Sequence, residues 1–235
     1  MDYQTRPPSS AADVAAVCRQ IVSGSSLVRL SGIDWRVLEV TSDDRALLLA
    51  DRVIGTGPYH EVGERCDLRR WLDKWFLFLQ TFNTGRYHVS GVTWERCDLR
   101  RWLNDDFCGS LGEPLTSRVL RTKVKNKRNR VWGTPGGMGT TDLFFLLSIE
   151  EACLDLAGQK SVDWKKIKKT WLPLGQQGKA VDEKGESAWW WLRSSGAYPD
   201  RAARVGTVGN LDGYGSVVSA SSGGVRPAFW LNLES

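Results

Sequence analysis

The stretch from Trp189 to the C-terminus constrains this chain most. Three consecutive tryptophans, Trp189-Trp190-Trp191, open a segment rich in Gly, Ser, Ala and Val. Short β-type runs come next at Ala203–Val208, Gly215–Ala220 and Gly224–Leu233, and Asn210-Leu211-Asp212-Gly213 supplies turn chemistry between the first two. Short strands joined by tight turns pair antiparallel, because a parallel pair needs a crossover of a dozen or more residues. The tryptophans are too bulky and apolar to stay in water, so this region must both form a sheet and cover a core.

Upstream, helical periodicity dominates. Ser10–Gly24 places Val14, Val17, Cys18, Ile21 and Val22 at helical spacing, with Ser10 and Asp13 as a capping pair and Gly24 past the end. Ile33–Val40 and Arg45–Ile54 read as a hairpin around Thr41-Ser42-Asp43-Asp44. The nonapeptide ERCDLRRWL then occurs twice, at Glu64–Leu72 and Glu95–Leu103, each copy after a Tyr-His pair (Tyr59-His60 and Tyr87-His88). Two copies are a local tandem duplication and not a solenoid, which needs at least three. Both read as helices. The first carries Leu68, Trp71, Leu72, Trp75, Phe76 and Leu79 on one face. The second keeps Leu99, Trp102, Leu103 and Phe107, but Asp106 and Ser110 shorten its stripe. The extra patch of the first copy must bury against the domain, a partner or a second copy of the chain, which leaves a homo-oligomer open.

Arg118–Arg130 is alternating and basic. It leads into a Gly-rich loop, Gly133–Gly139, which has neither phosphate-loop pattern. Leu143–Leu147 is expected to be a short buried strand. Ser148–Glu151 forms a capping box opening a helix with Ile149, Ala152, Cys153, Leu156 and Ala157 on one face and Gly158 at its end. Lys160–Gly185 is polar and expected on the surface. Helices early and strands late favour an α+β fold: an antiparallel sheet with flanking helices and a loop-rich C-terminal half.

Charge and chemistry narrow the function. Lys and Arg total 32 against 27 Asp and Glu, and the excess sits in Lys123–Arg130 and Lys165–Lys169. Without a recognition motif these runs read as solvated faces, so nucleic acid is not the expected partner. If it were one, Trp132 or Trp164 would stack on bases and binding would fall steeply with salt. Cys18, Cys66, Cys97, Cys108 and Cys153 have no CxxC spacing, which argues against a disulfide framework and a zinc site and for reduced, buried thiols. With His60 and His88 as the two histidines, a hydrolytic triad is hard to build. A Cys66 or Cys97 nucleophile beside one of them is the enzymatic alternative, but its Asp and Arg neighbours suit salt bridges better. No metal, cofactor or catalytic residue is expected. No apolar run is long enough to cross a membrane and the first residues lack a secretory pattern, so the expected location is the cytoplasm, with a virion component equally compatible.

Four stretches, Trp94–Phe107 (WERCDLRRWLNDDF), Leu143–Ala152 (LFFLLSIEEA), Trp190–Gly196 (WWLRSSG) and Gly224–Leu233 (GVRPAFWLNL), resemble in sequence and order a bacterial and phage domain family of uncharacterised function. That family is similar to C-type-lectin-like proteins and overlaps the variable proteins of diversity-generating retroelements. The resemblance covers residues 31–235, leaving residues 1–30 as a helical extension to a single domain that carries the duplicated segment (59–76 and 87–107). It implies a C-type-lectin-like scaffold presenting a variable C-terminal loop surface to a protein or glycan ligand. The segment 197–223 holds the residues it implies as contacts: Tyr198, Asp200, Arg201, Asn210, Asp212, Tyr214, Ser216, Ser219, Ser221 and Ser222. Tyr supplies rigid amphipathic area, and Ser, Asn and Gly supply adaptable hydrogen bonds. The same residues also suit plain hairpin turns.

Two departures bear on the resemblance. Calcium-dependent sugar binding needs an oxygen-rich motif of the EPN or QPD type. Here the chain has Glu113-Pro114-Leu115, and Trp102-Leu103-Asn104-Asp105 lies on the expected helix. The oxidases that share the fold need reactive cysteines in the C-terminal part, and no cysteine follows Cys153.

Overall fold

The computed structural model describes residues 10–57, 92–169 and 171–234. Helix α1, Ala11–Val22, starts at the expected box: Ser10 Oγ accepts from Asp13 N, and the Asp13 carboxylate accepts from Ser10 N. Val14, Val17, Cys18 and Ile21 are buried. Val22, expected on the same stripe, is exposed because it sits where the helix ends, beside the Ser23 cap.

Strands β1 (Leu27–Leu30), β2 (Ile33–Val40) and β3 (Arg45–Ala50) form two successive hairpins. The second turns on Asp44 at φ 52°, within the expected Ser/Asp cluster. The domain boundary expected at residue 30 falls inside the β1–β2 hairpin, and α1 packs into the same core. Among the described residues, 10–30 are therefore continuous with the domain: Val14, Val17, Cys18, Ile21, Val28 and Leu30 join its core. Strand β4 is Thr56–Gly57. The first ERCDLRRWL copy and both Tyr-His pairs lie outside the described residues.

The second copy folds as expected. A 3-10 turn at Trp94–Arg96 leads into α2 (Asp98–Trp102), a π-helical turn at Leu103–Phe107 and α3 (Cys108–Ser110). Leu99, Trp102, Leu103 and Phe107 are buried. Beyond α4 (Glu113–Thr116) come β5 (Val119–Leu120), β6 (Thr122–Val124), β7 (Thr140–Asp142) and α5 (Ile149–Glu151), which continues as a π-helical turn to Leu156. The strand predicted at Leu143–Leu147 does not form: residues 144–147 are buried, but the stretch bends at Leu143 and Phe144 and makes a single bridge, Phe145 to Ala228. Side chains take the ladder's place. Asn104 Oδ1 accepts from Leu143 N and Phe144 N, and its Nδ2 donates to Phe144 O.

Helix α6 (Trp164–Lys169), β8 (Leu172–Pro173), β9 (Ala180–Val181) and β10 (Ser187–Ala188) occupy the stretch expected on the surface and its end. Ile167, Leu172, Leu174 and Ala180 are nevertheless buried, so the excursion is anchored by isolated apolar residues too sparse to show a period. The C-terminal strands are β11 (Trp190–Ser195), β12 (Arg201–Val205), β13 (Asn210–Val217), β14 (Gly223–Gly224) and β15 (Ala228–Asn232).

The class is α+β, but the late strands divide between two sheets where one was expected. One sheet has the order β1-β2-β3-β15-β5, and the other β4-β14-β11-β12-β13-β8. All named pairs are antiparallel except β11 with β14, which meet in parallel at Trp190 and Gly224. Trp35, Trp94, Trp190, Trp191, Phe144 and Phe229 are fully buried. Trp35 meets Phe229 edge-on at 4.8 Å, and Phe144 stands 5.0 Å from Phe229 and 5.2 Å from Phe107. These rings join the duplicated helix to the first sheet.

Candidate ligand-binding surface

Strand β12 is short, and its neighbours are longer than it can match. On one side Trp191 pairs with Arg204 and Ser195 with Ala202, so Leu192, Arg193 and Ser194 all face Ala203. On the other side Arg204 pairs with Asp212 and Ala202 with Ser216, so Gly213, Tyr214 and Gly215 face the same residue. Bulges of this kind bend a strand and re-aim its side chains.

The β13 bulge turns Tyr214 outward. Gly215 holds φ 79°, and a Cβ there would collide with the Ala202 carbonyl. A Cβ on Gly213 would lie 2.7 Å from Ile167 of α6. Asp212 closes the bulge: its Oδ1 accepts from Tyr214 N at 3.1 Å and Gly215 N at 3.2 Å, while Oδ2 accepts from Arg204 Nε at 3.1 Å.

Around Tyr214 the chain assembles an aromatic and cationic cluster. Tyr198, on the β11–β12 connection, meets it edge-on at 5.7 Å, and Trp132 does so from the other side at 5.9 Å. The Arg201 guanidinium lies 4.8 Å from the Tyr214 ring and 6.0 Å from that of Tyr198, and its Nη1 donates to Gly215 O. Hydrogen bonding with Tyr198 raises the Tyr214 phenol above its ordinary value. Tyr198 is 53% exposed and Tyr214 42%. Asp200, Ser219, Ser221 and Ser222 are exposed, and Arg201 and Ser216 are half-buried.

Two of the expected contact residues do not belong to this surface. Asn210 and Asp212 are buried within β13, because the chain reverses earlier, where Gly206 N donates to Asn210 O and Gly209 N to Gly206 O. Composition alone makes the Asn-Leu-Asp-Gly run look like a turn. The φ-permissive glycine at the real reversal is Gly209, at φ 79°.

The cluster also has members that sequence reasoning misses. Trp132, which the sequence offers only as an exposed base-stacking residue, is half-buried. So is Trp164, which lies under the Arg130 guanidinium at 5.6 Å. Asn129 is buried and ties its loop to the site: Nδ2 donates to Ser195 O at 2.8 Å and Gly213 O at 3.2 Å. Exposed Val217 adds an apolar position at the end of β13.

Of the residues of the enzymatic alternative, Cys97 lies among those described, while Cys66, His60 and His88 lie outside them. The Cys97 thiol is fully enclosed, burial pushes its pKa well up, and its Sγ accepts from Arg100 N as the cap of α2. A reactive thiol needs the opposite shift. The charges nearby are structural. Arg100 pairs with the buried Asp142 at 2.7 Å, and Trp94 Nε1 donates to the same carboxylate at 2.8 Å. Burial likewise lifts Cys153 to about 12. Among the described residues no group of three or more His, Cys, Asp or Glu could hold a metal, and no helix is long and apolar enough to cross a membrane.

The profile of one domain family, described as a domain of unknown function (DUF6273), matches residues 73–233. No curated protein and no solved structure matches the chain.

Proposed function

The chain belongs to the DUF6273 family, and we propose that it is a non-catalytic ligand-binding module whose contact surface is the cluster around Tyr198, Arg201 and Tyr214. The observation that carries this reading is the β13 bulge. Two glycines that tolerate no side chain and a buried carboxylate hold one tyrosine out between the buried strand residues 210–213 and 215. Exposed Tyr beside Arg is the composition of binding hot spots, with Asp200, Ser216, Ser219, Ser221 and Ser222 supplying polar fit around them. The fitting partner is a protein, or a glycan whose ring packs on the tyrosines.

The finer reading is a C-type-lectin-like scaffold with a variable surface, the target protein of a diversity-generating retroelement. The contrast between the buried blocks and the surface supports it: Trp190, Trp191, Arg193, Arg226 and Phe229 are buried, while most of the expected contact positions between 197 and 223 are accessible. Buried free cysteines at 18, 97, 108 and 153 suit a reducing compartment such as the cytoplasm, where a virion component would also be made.

Deep sequencing of the coding region from a growing source population tests the variable reading. Substitutions concentrated in codons 197–223, with 189–196 and 224–235 constant, support it. An invariant region overturns it and leaves a fixed-specificity interaction domain. The contact assignment is tested separately: a Tyr198→Ala/Tyr214→Ala variant is expected to lose at least about tenfold in affinity for a partner captured by the wild type. Its melting temperature should stay within about 2 °C, as for ordinary surface changes. Unchanged affinity sinks the assignment.

A further inference from the structure

The cluster around Tyr214 holds one charge that the fold leaves unanswered. Arg36, Arg100, Arg193 and Arg204 each pair with a carboxylate, from Asp51, Asp142, Glu151 and Asp212 in turn. Arg201 pairs with none among the described residues. Its one hydrogen bond there runs from Nη1 to Gly215 O at 2.9 Å. Nε and Nη2 have no described partner, yet neither is shut away from water, so both can be reached from outside. These two nitrogens form the side edge of the guanidinium, whose parallel N–H groups match the two oxygens of a carboxylate.

That edge is also held in place. Gly215 O fixes one corner of the guanidinium, and the Tyr214 and Tyr198 rings lie 4.8 Å and 6.0 Å from it. A free surface arginine gives up rotamer freedom when it binds; one already stacked and bonded gives up less. Two neighbours narrow what the fork meets. The guanidinium itself lies over the Tyr214 ring, a face that a sugar ring would need. Exposed Asp200 adjoins Arg201 and its charge acts on Tyr214, so a doubly charged phosphate meets twice the repulsion that a single carboxylate does.

Taking the cluster as the contact surface, as proposed above, we infer that Arg201 receives an Asp or Glu side chain of a partner protein, in a side-on pair flanked by Tyr198 and Tyr214.

Random dodecapeptides displayed on phage and panned on the full chain supply the probe. Peptides that bind the wild type and not Tyr198→Ala/Tyr214→Ala are expected to share one Asp or Glu. Exchanging that acid for its amide in the synthetic peptide should weaken binding at least about tenfold. Arg201→Gln should weaken the acidic peptide as much and leave the amide peptide unchanged, so that the two losses do not add. Arg201→Lys, which keeps the charge and loses the fork, should fall between. Circular dichroism on each variant confirms the fold. Tyrosine-dependent peptides with no shared acid, or losses that simply add, overturn the inference and leave the contact surface standing. A library yielding no peptide that depends on the tyrosines overturns both. Displacement of the acidic peptide by single-stranded oligothymidylate, with the same dependence on Arg201, assigns the fork to phosphate and overturns the inference as well.

Discussion

Two bulges face Ala203 from opposite sides of β12, and they do opposite work. In β11, Leu192-Arg193-Ser194 turns inward on the α5 side. Arg193 N donates to Leu147 O, its guanidinium makes two bonds to Glu151, and Ser194 Oγ accepts from Ile149 N. In β13, Gly213-Tyr214-Gly215 turns its one large side chain outward. The first bulge has a polar partner for nearly every group it carries. The second has glycines on either side of a tyrosine that rests on exposed or half-buried groups, Tyr198, Trp132 and Arg201. A shared irregularity therefore fastens the framework on one side and presents a surface on the other. The side chains at its centre decide which.

The comparison can be broken most severely from the inner side. Arg193→Ala leaves Glu151 without its counter-charge and Leu146 O without a donor, and should cost about 3 kcal/mol in urea-unfolding measurements. A loss no larger than that of a surface alanine would mean that the inner bulge fastens nothing. On the outer side, Gly215→Ala forces a side chain into positive φ and against the Ala202 carbonyl, and should cost about 1–3 kcal/mol. Its larger signature is functional, since the Tyr214 ring must move and partner affinity should fall with it. A variant that folds and binds normally would show that the tyrosine needs no bulge.

The smallest effect is acid sensitivity. Burial pushes the Glu151 carboxyl up, but the Arg193 charge and the bonds from Arg193 and Ser148 outweigh it and hold the group below its ordinary 4.5. A depressed carboxylate stabilises the fold above that ordinary value, and the contribution fades as pH falls through the lower folded value. The stability gap between wild type and Glu151→Gln should be open at pH 7 and narrow below about pH 4. A gap that stays constant with pH would assign the stabilisation to shape, not charge.

Local signals in the sequence are reliable where one residue's chemistry decides the outcome. Both capping boxes, the β2–β3 hairpin and the buried stripe of the second ERCDLRRWL helix follow from spacing alone. Tyr198, Arg201 and Tyr214 stand out by composition and do meet in space. What composition cannot show is strand register. A turn placed four residues earlier leaves the residue list unchanged, so Asn210 and Asp212 look like loop residues while belonging to the buried face. Asn104 and Asn129 are illegible for a related reason. Each substitutes a side-chain amide for a backbone ladder, and nothing in a neighbour pattern announces that. Trp132 joins the cluster only because Asn129 brings its loop to β13.

The strand order of the first sheet bears on how the protein is made. Strand β15 lies between β3 and β5, pairing Leu47 and Leu120 with the one residue Trp230. Until the ribosome has released that strand, β3 and β5 cannot be joined. Until then their backbone edges on that side lack the partner that β15 provides. Long-range closures of this kind fold slowly and leave strand edges open to other chains. The emerging chain is thus most prone to stick to its neighbours in the interval before β15 arrives to close the sheet.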